Sequence, residues 1–212
     1  WDQIDVAAAD GTGFSRSGPS QYYLKRIDRL EPVGRPVQMI CIIDVEKRKF
    51  LAGNFLAKPQ HEAQWIPTIH KQSPVKPDIL LMDKAFDAEW LHQWLEEQGT
   101  FGFAPVRKNC RRGKHRKIIR DCMDWCLYWQ RNIVECLFSA LKRLFGDTIK
   151  SHKMPMINAE LFCRLIAYNL GAWFGTFSTE PYFNIKAKTG FRMAFNFHNY
   201  AQKCRNIFMI LC

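Results

Sequence analysis

The chain has 212 residues, of which 47% are hydrophobic, and this favours one globular domain with a sizeable core. No apolar run reaches the roughly 18 residues that a membrane span needs, and no signal-peptide pattern opens the chain. The formal net charge of +11 indicates an anionic partner but says nothing about the fold. Eight cysteines without a framework spacing are typical of a reduced protein, and we expect a cytoplasmic one. Because the chain begins with Trp1 rather than Met, we expect it to start partway through a longer protein.

The first third of the chain reads as strands followed by a helix. Residues 4–10 predict a short strand that ends at a Gly/Ser-rich loop. Residues 37–45 and 50–57 are two strand patterns joined by a charged turn, and they predict a β-hairpin. Residues 61–72 predict a helix that Pro67 must break or kink.

A buried strand and a helix follow. Residues 78–83 form an apolar run without alternation, as expected for a strand covered on both faces. Asp87 is predicted to cap a helix that ends at Gly99, and residues 100–106 return as a strand. This order predicts an α/β domain built on a mixed sheet that is flanked by helices.

The second half contains a basic run, two helices and a tail. Residues 107–120 carry eight Lys and Arg and no acid, and we interpret them as a loop. Residues 128–142 and 157–174 have the apolar spacing of amphipathic helices. Residues 176–212 have apolar residues without clear periodicity, so they are expected to form a separate tail of uncertain structure.

Three carboxylates lie at unusual places in these elements. Asp10 and Asp83 each end a predicted strand, where sites collect in open α/β sheets, and Glu135 lies beside the apolar stripe of its helix. If they converge they repel one another unless a cation joins them, and oxygen-only ligands suit Mg²⁺ or Mn²⁺. Two alternatives stay open. Asp83 can be a turn or cap residue, and Glu135 can be the i,i+4 ion-pair partner of Arg131.

Three segments resemble the catalytic segments of DDE transposases from prokaryotic insertion sequences: ADGTGFS (9–15), LLMDKAFD (80–87) and YWQRNIVECLFSALK (128–142). The third fits the Y-x2-R-x3-E-x6-K signature at Tyr128, Arg131, Glu135 and Lys142. Four residue types at fixed spacing rarely arise by chance, and the resemblance covers roughly residues 4–170.

The resemblance implies an RNase H-like fold in which Asp10, Asp83 and Glu135 bind two divalent ions, Mg²⁺ or Mn²⁺. In that chemistry one ion activates water or a 3′-hydroxyl, and the other stabilises the leaving oxygen of a DNA phosphodiester. It also implies a catalytic domain over residues 1–175 without the N-terminal DNA-recognition domain of many relatives. The implied partner is double-stranded DNA, both transposon ends and target, bound by a homodimer in the nucleoid, with no membrane.

Several basic residues are candidate DNA contacts. By the resemblance, Tyr128, Arg131 and Lys142 hold the phosphates near the transposon end. The basic run would neutralise further phosphates by counterion release, or else be a solvated linker. The candidate DNA contacts in the basic run are Arg107, Lys108, Arg111, Arg112, Lys114, Arg116 and Lys117. Trp125 and Trp129 would either stack on an unpaired base or pack in the core.

Other features receive simpler interpretations. Cys110, His115, Cys122 and Cys126 fit no usual zinc spacing. Asp44 is interpreted as a turn residue, while His61 and Glu62 are interpreted as the exposed start of a helix. Besides an active transposase, the sequence allows an inactive or domesticated derivative that binds DNA, or a general nuclease of the same fold.

Overall fold

The computed structural model describes residues 3–16, 26, 36–57, 60–109 and 112–174. The tail predicted over 176–212 lies outside the described residues, as do Cys110 and Arg111 of the basic run. Across the described ranges, no helix is both long enough and apolar enough to cross a membrane.

Within the described ranges, six strands form one mixed sheet. They are β1 (Val6–Arg16), β2 (Val37–Asp44), β3 (Lys49–Leu56), β4 (Ile79–Met82), β5 (Phe101–Phe103) and β6 (Thr148–Ile149). Their order is β3-β2-β1-β4-β5, and β6 pairs with the far end of β1. Strands β1, β2 and β3 are antiparallel neighbours, whereas β4 runs parallel to β1 and β5 runs parallel to β4. The predicted hairpin and the predicted mixed sheet are confirmed.

Helices cover both faces of this sheet. They are α1 (Ile66–Gln72), α2 (Glu89–Glu97), α3 (Lys114–Asp121), α4 (Trp125–Tyr128), α5 (Asn132–Phe145) and α6 (Met154–Trp173). One apolar cluster joins Leu81 of β4 to α5 and α6, and the other joins Leu80 of β4 to α1 and α2. Alternate residues of β4 therefore enter opposite cores, which explains its apolar run without alternation.

The expected end of the first strand needs adjustment, whereas the expected break near Pro67 is present. Strand β1 does not end at Asp10, because its pairing with β2 continues through Gly11 and Gly13 to Phe14. Pro67 does mark a boundary: a 3₁₀ turn over Glu62–Trp65 precedes α1, and the proline lies in the first turn of that helix. Gly11 and Gly13 were expected to belong to a loop. Their backbone pairing with β2 keeps them in the strand instead.

The predicted cap at Asp87 is wrong, and its real role is different. Helix α2 begins at Glu89, and its capping position is Ala88, which has no side-chain cap. Asp87 is instead buried and binds groups of the basic run. A partner almost thirty residues away in sequence decides its position, and local propensity carries no information about such a partner.

The second half contains two further corrections. The basic run is not only a loop, because its second part forms helix α3 with Ile118 and Ile119 buried. The helix predicted over 128–142 is divided into α4, a 3₁₀ turn over Trp129–Arg131 and α5. Asp124 starts α4 by accepting hydrogen bonds from the backbone amides of Cys126 and Leu127 at 2.8 and 3.2 Å.

Candidate active site

The parallel register of β1 and β4 brings two of the predicted carboxylates together. Ala9 pairs with Met82, so the next residues of the two strands are Asp10 and Asp83. Strand β4 ends at Met82 while β1 continues, which leaves an open edge on β1 beside Asp83. Each aspartate accepts a hydrogen bond from the backbone amide of the residue that follows it, at 2.8 Å for Asp10 and 2.6 Å for Asp83.

Helix α5 brings the third carboxylate to the same edge. Its buried residues Val134, Leu137, Phe138 and Leu141 hold the helix on the sheet. Arg131, at the end of the preceding 3₁₀ turn, donates from Nη1 to Asp10 Oδ2 at 2.7 Å and from Nη2 to Glu135 Oε1 at 2.8 Å. The i,i+4 ion pair of Glu135 with Arg131 is thus observed, and it also links Glu135 to Asp10, whereas the role of Glu135 as a metal ligand stays a prediction.

The other two signature residues also contact the strands. The Tyr128 hydroxyl donates to Asp83 Oδ1 at 3.4 Å, and Lys142 Nζ donates to Thr12 Oγ1 at 2.7 Å. Lys142 also lies over the ring of Phe14, 5.2 Å from its centroid. The signature residues consequently form a row along β1, with the carboxylates at one end and Lys142 at the other.

Charge at this edge is not fully balanced. Burial raises the pKa of Asp10 above its ordinary value, and the neighbouring charges of Asp83 and Glu135 raise it further, although Arg131 and the Gly11 amide oppose them. The pKa of Arg131 is raised, because Asp10 and Glu135 outweigh the effect of its own burial. Burial is also the main cause of the raised pKa of Tyr128. The edge therefore has a deficit of positive charge even with one arginine bound.

The donor set fits a hard divalent cation. Asp10, Asp83 and Glu135 offer only oxygen atoms, the ligands that Mg²⁺ and Mn²⁺ prefer. As they stand, no group of three or more His, Cys, Asp or Glu within the described ranges is close enough together to hold a metal ion. The Arg131 guanidinium lies between Asp10 and Glu135, so a metal ion would have to replace it as the shared cation.

The basic run is divided between two environments. Arg116 pairs through Nε with Asp87 Oδ1 at 2.7 Å, and the Arg107 backbone amide donates to Asp87 Oδ2 at 2.9 Å. The remaining described candidates have exposed side chains: Lys108, Arg112, Lys114 and Lys117. Arg111 is outside the described residues. The predicted DNA contact of Arg116 would require it to release a buried carboxylate.

Two tryptophans stand on the surface beside the signature. Trp125 is 53% exposed and Trp129 is 59% exposed, so the interpretation that they pack in the core is wrong. Trp125 contacts the ring of Tyr128 edge-to-face, with the ring centroids 5.8 Å apart. Their stacking on a base stays a prediction.

Sequence reasoning missed one carboxylate near this edge. Glu62 was interpreted as the exposed start of a helix, but its side chain is half-buried and reaches Gly11, the neighbour of Asp10. The charges of Asp10 and Asp83 act on it. The sequence signal for this contact was Gly11, directly after Asp10. A glycine there leaves space for another side chain to approach.

Comparisons with known proteins show what this chain is similar to. The family model described as "Transposase DDE domain" matches residues 1–170. A piggyBac transposase, solved as a synaptic complex with hairpin DNA, has a TM-score of 0.51 at 10% identity and covers 99% of this chain. The chain spans about half of that transposase, 52% of its length. The catalytic core domain of BIV integrase has a TM-score of 0.41 at 12% identity, over 76% of this chain and 81% of that one.

Among curated proteins, none matches the sequence. The family model covers far more than half of the chain and includes the strands and helices that carry Asp10, Asp83 and Glu135. This chain therefore belongs to the family of transposase DDE domains.

Proposed function

We propose that the chain is the catalytic domain of a transposase of prokaryotic insertion sequences. It cleaves phosphodiester bonds at transposon ends and transfers the new 3′ ends to target DNA. The observation that carries this proposal is the pair of hydrogen bonds from Arg131 to Asp10 and Glu135. These bonds tie the Y-x2-R-x3-E-x6-K segment to Asp10 in β1, beside Asp83 at the end of β4, and two-metal phosphoryl transfer needs such a convergence of carboxylates.

Asp10, Asp83 and Glu135 are the proposed holders of two Mg²⁺ or Mn²⁺ ions. When bound, such ions activate a water or a 3′-hydroxyl and stabilise the leaving oxygen. Arg131 then releases its carboxylates and turns to a DNA phosphate, for which the planar guanidinium is well suited. This exchange lets the metal ions replace the arginine as the cation that the carboxylates share.

DNA lies along the row of signature residues in this proposal. Lys142 and Tyr128 exchange their contacts with Thr12 and Asp83 for phosphates, as Arg131 does. The exposed lysines of the basic run extend the path by counterion release. The exposed rings of Trp125 and Trp129 supply a surface on which a base can stack. We further propose that a homodimer binds two transposon ends, in the nucleoid of the cytoplasm.

The test is a cleavage and joining assay with the full chain. Supercoiled plasmid that carries the element's ends is incubated with Mn²⁺, and nicked and joined products are separated. Asp83→Asn should lower the nicking rate about 10³-fold, because several kcal/mol of metal-mediated stabilisation disappears. Asparagine retains an acceptor for the Lys84 amide, so the local fold is preserved. Asp121→Asn, an exposed aspartate of α3, is the matched control and should cut like the parent.

Each other outcome has a definite meaning. Nicks without joined products identify a general nuclease of the same fold. Tight binding without any nick identifies an inactive derivative that only binds DNA. Nicking by Asp83→Asn at the parent rate contradicts the assignment of the site.

A further inference from the structure

The carboxylate of Glu62 lies against strand β1 at the residue that follows Asp10. A Cβ atom built on Gly11 would overlap with this carboxylate, since it would lie 2.7 Å from Glu62 Cδ. Real Cβ atoms essentially never approach another heavy atom so closely. The missing side chain at Gly11 therefore leaves room for the Glu62 carboxylate at the acidic edge, whereas a Cβ atom there would require the end of the Glu62 side chain to move away.

A glutamine holds Glu62 in this place. Gln38 of β2 donates from Nε2 to Glu62 Oε1, and its Oε1 accepts from the backbone amide of Gln60 at 3.3 Å. Gln38 pairs with Gly13 in the sheet, so the anchor belongs to the same strand pair that carries Asp10. Among the described residues, Glu62 Oε2 accepts no hydrogen bond, which leaves one oxygen for another partner.

The orientation of Glu62 differs from that of an ordinary first-turn acid. Glu62 begins the 3₁₀ turn, where a carboxylate usually satisfies the backbone amides of its own helix. Here its Oε1 binds Gln38 on a neighbouring strand instead. Burial raises the pKa of Glu62, and the charges of Asp10 and Asp83 raise it further, which means that the three carboxylates share one electrostatic environment.

The charge of the proposed metal site leaves a role for this fourth acid. Two divalent ions carry four positive charges, whereas Asp10, Asp83 and Glu135 supply only three negative ones. Arg131 and Lys142 add positive charge along the same row. A fourth carboxylate at the edge would bring the negative charge of the acids to the four positive charges of the two ions, and it would orient water around them.

We propose that Glu62, held by Gln38 and admitted by Gly11, is a fourth carboxylate of the divalent-metal site. Its Oε2 accepts hydrogen bonds from water on the ions held by Asp10 and Asp83, so it acts as a positioning residue. The proposal rests on the proposed function, because it assumes that the triad binds metal. It also extends the site to the opposite side of β1 from helix α5.

The test measures metal binding without DNA. The full chain is titrated with Mn²⁺, and the midpoint concentration is read from the rise in Tm. Glu62→Gln should raise that midpoint about tenfold, the lower end of what loss of a supporting residue costs in metal affinity. Glu97→Gln is the matched control, because Glu97 is an exposed glutamate that also binds a glutamine amide, that of Gln93 at 3.2 Å. Its midpoint should equal that of the parent.

Two more variants complete the experiment. Gln38→Leu keeps all carboxylates and removes the anchor, so its midpoint should rise by a smaller factor than that of Glu62→Gln. This variant also tests the proposal if Glu62→Gln folds poorly by circular dichroism. Asp83→Asn should lose the metal response altogether.

If Asp83→Asn loses that response while Glu62→Gln and Gln38→Leu keep the parent midpoint, the proposal for Glu62 is overturned and the proposed function stands. If Asp83→Asn itself keeps the parent midpoint, both are overturned.

Discussion

Two arginine–aspartate pairs in this molecule have the same length and opposite electrostatic character. Arg131 meets Asp10 at 2.7 Å, and Arg116 meets Asp87 at 2.7 Å. The Asp87 side chain is fully buried, while that of Asp10 is 18% exposed. Burial alone would raise both pKa values. The pKa of Asp87 is nevertheless well below its usual range, whereas the pKa of Asp10 is raised.

The charges around each carboxylate explain the difference, because His92, Arg107 and Arg116 lower the pKa of Asp87, whereas Asp83 and Glu135 add to the effect of burial on Asp10. Asp87 receives the Arg116 Nε, the Arg107 backbone amide and the nearby ring of His92 at 3.7 Å. Asp10 receives Arg131 and one backbone amide but faces the charges of Asp83 and Glu135. A short ion pair can thus be a permanent structural link or an interaction that another cation can replace. Arg116 belongs to the first kind, and we propose the second for Arg131.

The largest expected effect concerns the structural pair. Asp87→Asn should lower the free energy of unfolding by about 3 kcal/mol, because it leaves Arg116 partly buried without its counter-charge. Asp10→Asn, measured in the presence of EDTA, should change stability by less than about 1 kcal/mol, since the ionised form of Asp10 is already disfavoured there. Urea unfolding followed by circular dichroism compares the two variants. Equal losses in both would contradict the distinction.

Acid should remove the contribution of Asp87 selectively. The pKa of Asp87 is lowered in the folded state, so the folded chain binds fewer protons than the unfolded chain below the usual value of 3.8. Its stabilisation is fully present above that pH and is lost as the pH falls towards the folded value. The stability gap between the parent and Asp87→Asn should therefore shrink from pH 5 to pH 3 in urea titrations. A gap that stays constant over this range would exclude an ionised Asp87 as its cause.

Arg131 should affect metal binding and catalysis in opposite directions. Arg131→Met removes the cation that competes for Asp10 and Glu135, so Mn²⁺ should bind about tenfold more tightly, corresponding to about 1.4 kcal/mol. Cleavage should fall, because no guanidinium is left to bind the phosphate. Isothermal titration calorimetry gives the affinity, and the plasmid assay gives the rate. A parallel fall in both would mean that Arg131 only supports the local structure.

Substitutions in the basic run should have the smallest effect. Here too, the arginine that pairs with Asp87 should behave differently from the exposed lysines. Lys108→Gln with Lys117→Gln should reduce the log–log salt dependence of DNA affinity by about 0.9 for each phosphate that the lysines no longer neutralise. Arg116→Gln should leave that slope unchanged and lower stability instead, because Arg116 is engaged with Asp87. Fluorescence anisotropy at several salt concentrations measures the slopes. A slope that responds to Arg116 and not to the two lysines would reverse the assignment.

Local patterns were enough to predict the scaffold of the site. The unbroken apolar run of β4 reflects burial on both faces, and the spacing of Arg131 and Glu135 reflects one turn of a helix. The end of this apolar run also placed Asp83 at the end of its strand. The resemblance implied that Asp10 and Asp83 meet, and the parallel register of β1 and β4 explains why they do.

Local sequence patterns did not predict the interactions between distant segments. Asp87 looked like a helix cap because its partner Arg116 follows 29 residues later. Helix α3 was hidden by its charges, since only Ile118 and Ile119 mark its buried side. Glu62 looked like a surface acid, because its position depends on Gln38 and on the absence of a side chain at Gly11. In each case a long-range partner overrides a local preference.

The most direct test of the central claim is metal-induced stabilisation without DNA. A ligand that binds only the folded chain at a hundredfold excess over its Kd adds about 2.7 kcal/mol to stability. Mn²⁺ and Mg²⁺ should therefore raise the Tm of the parent, and they should leave the Tm of an Asp10→Asn/Asp83→Asn/Glu135→Gln triple variant unchanged. Equal shifts in the parent and the triple variant would show that the ions bind elsewhere, and would contradict the assignment of this acidic edge as the catalytic metal site.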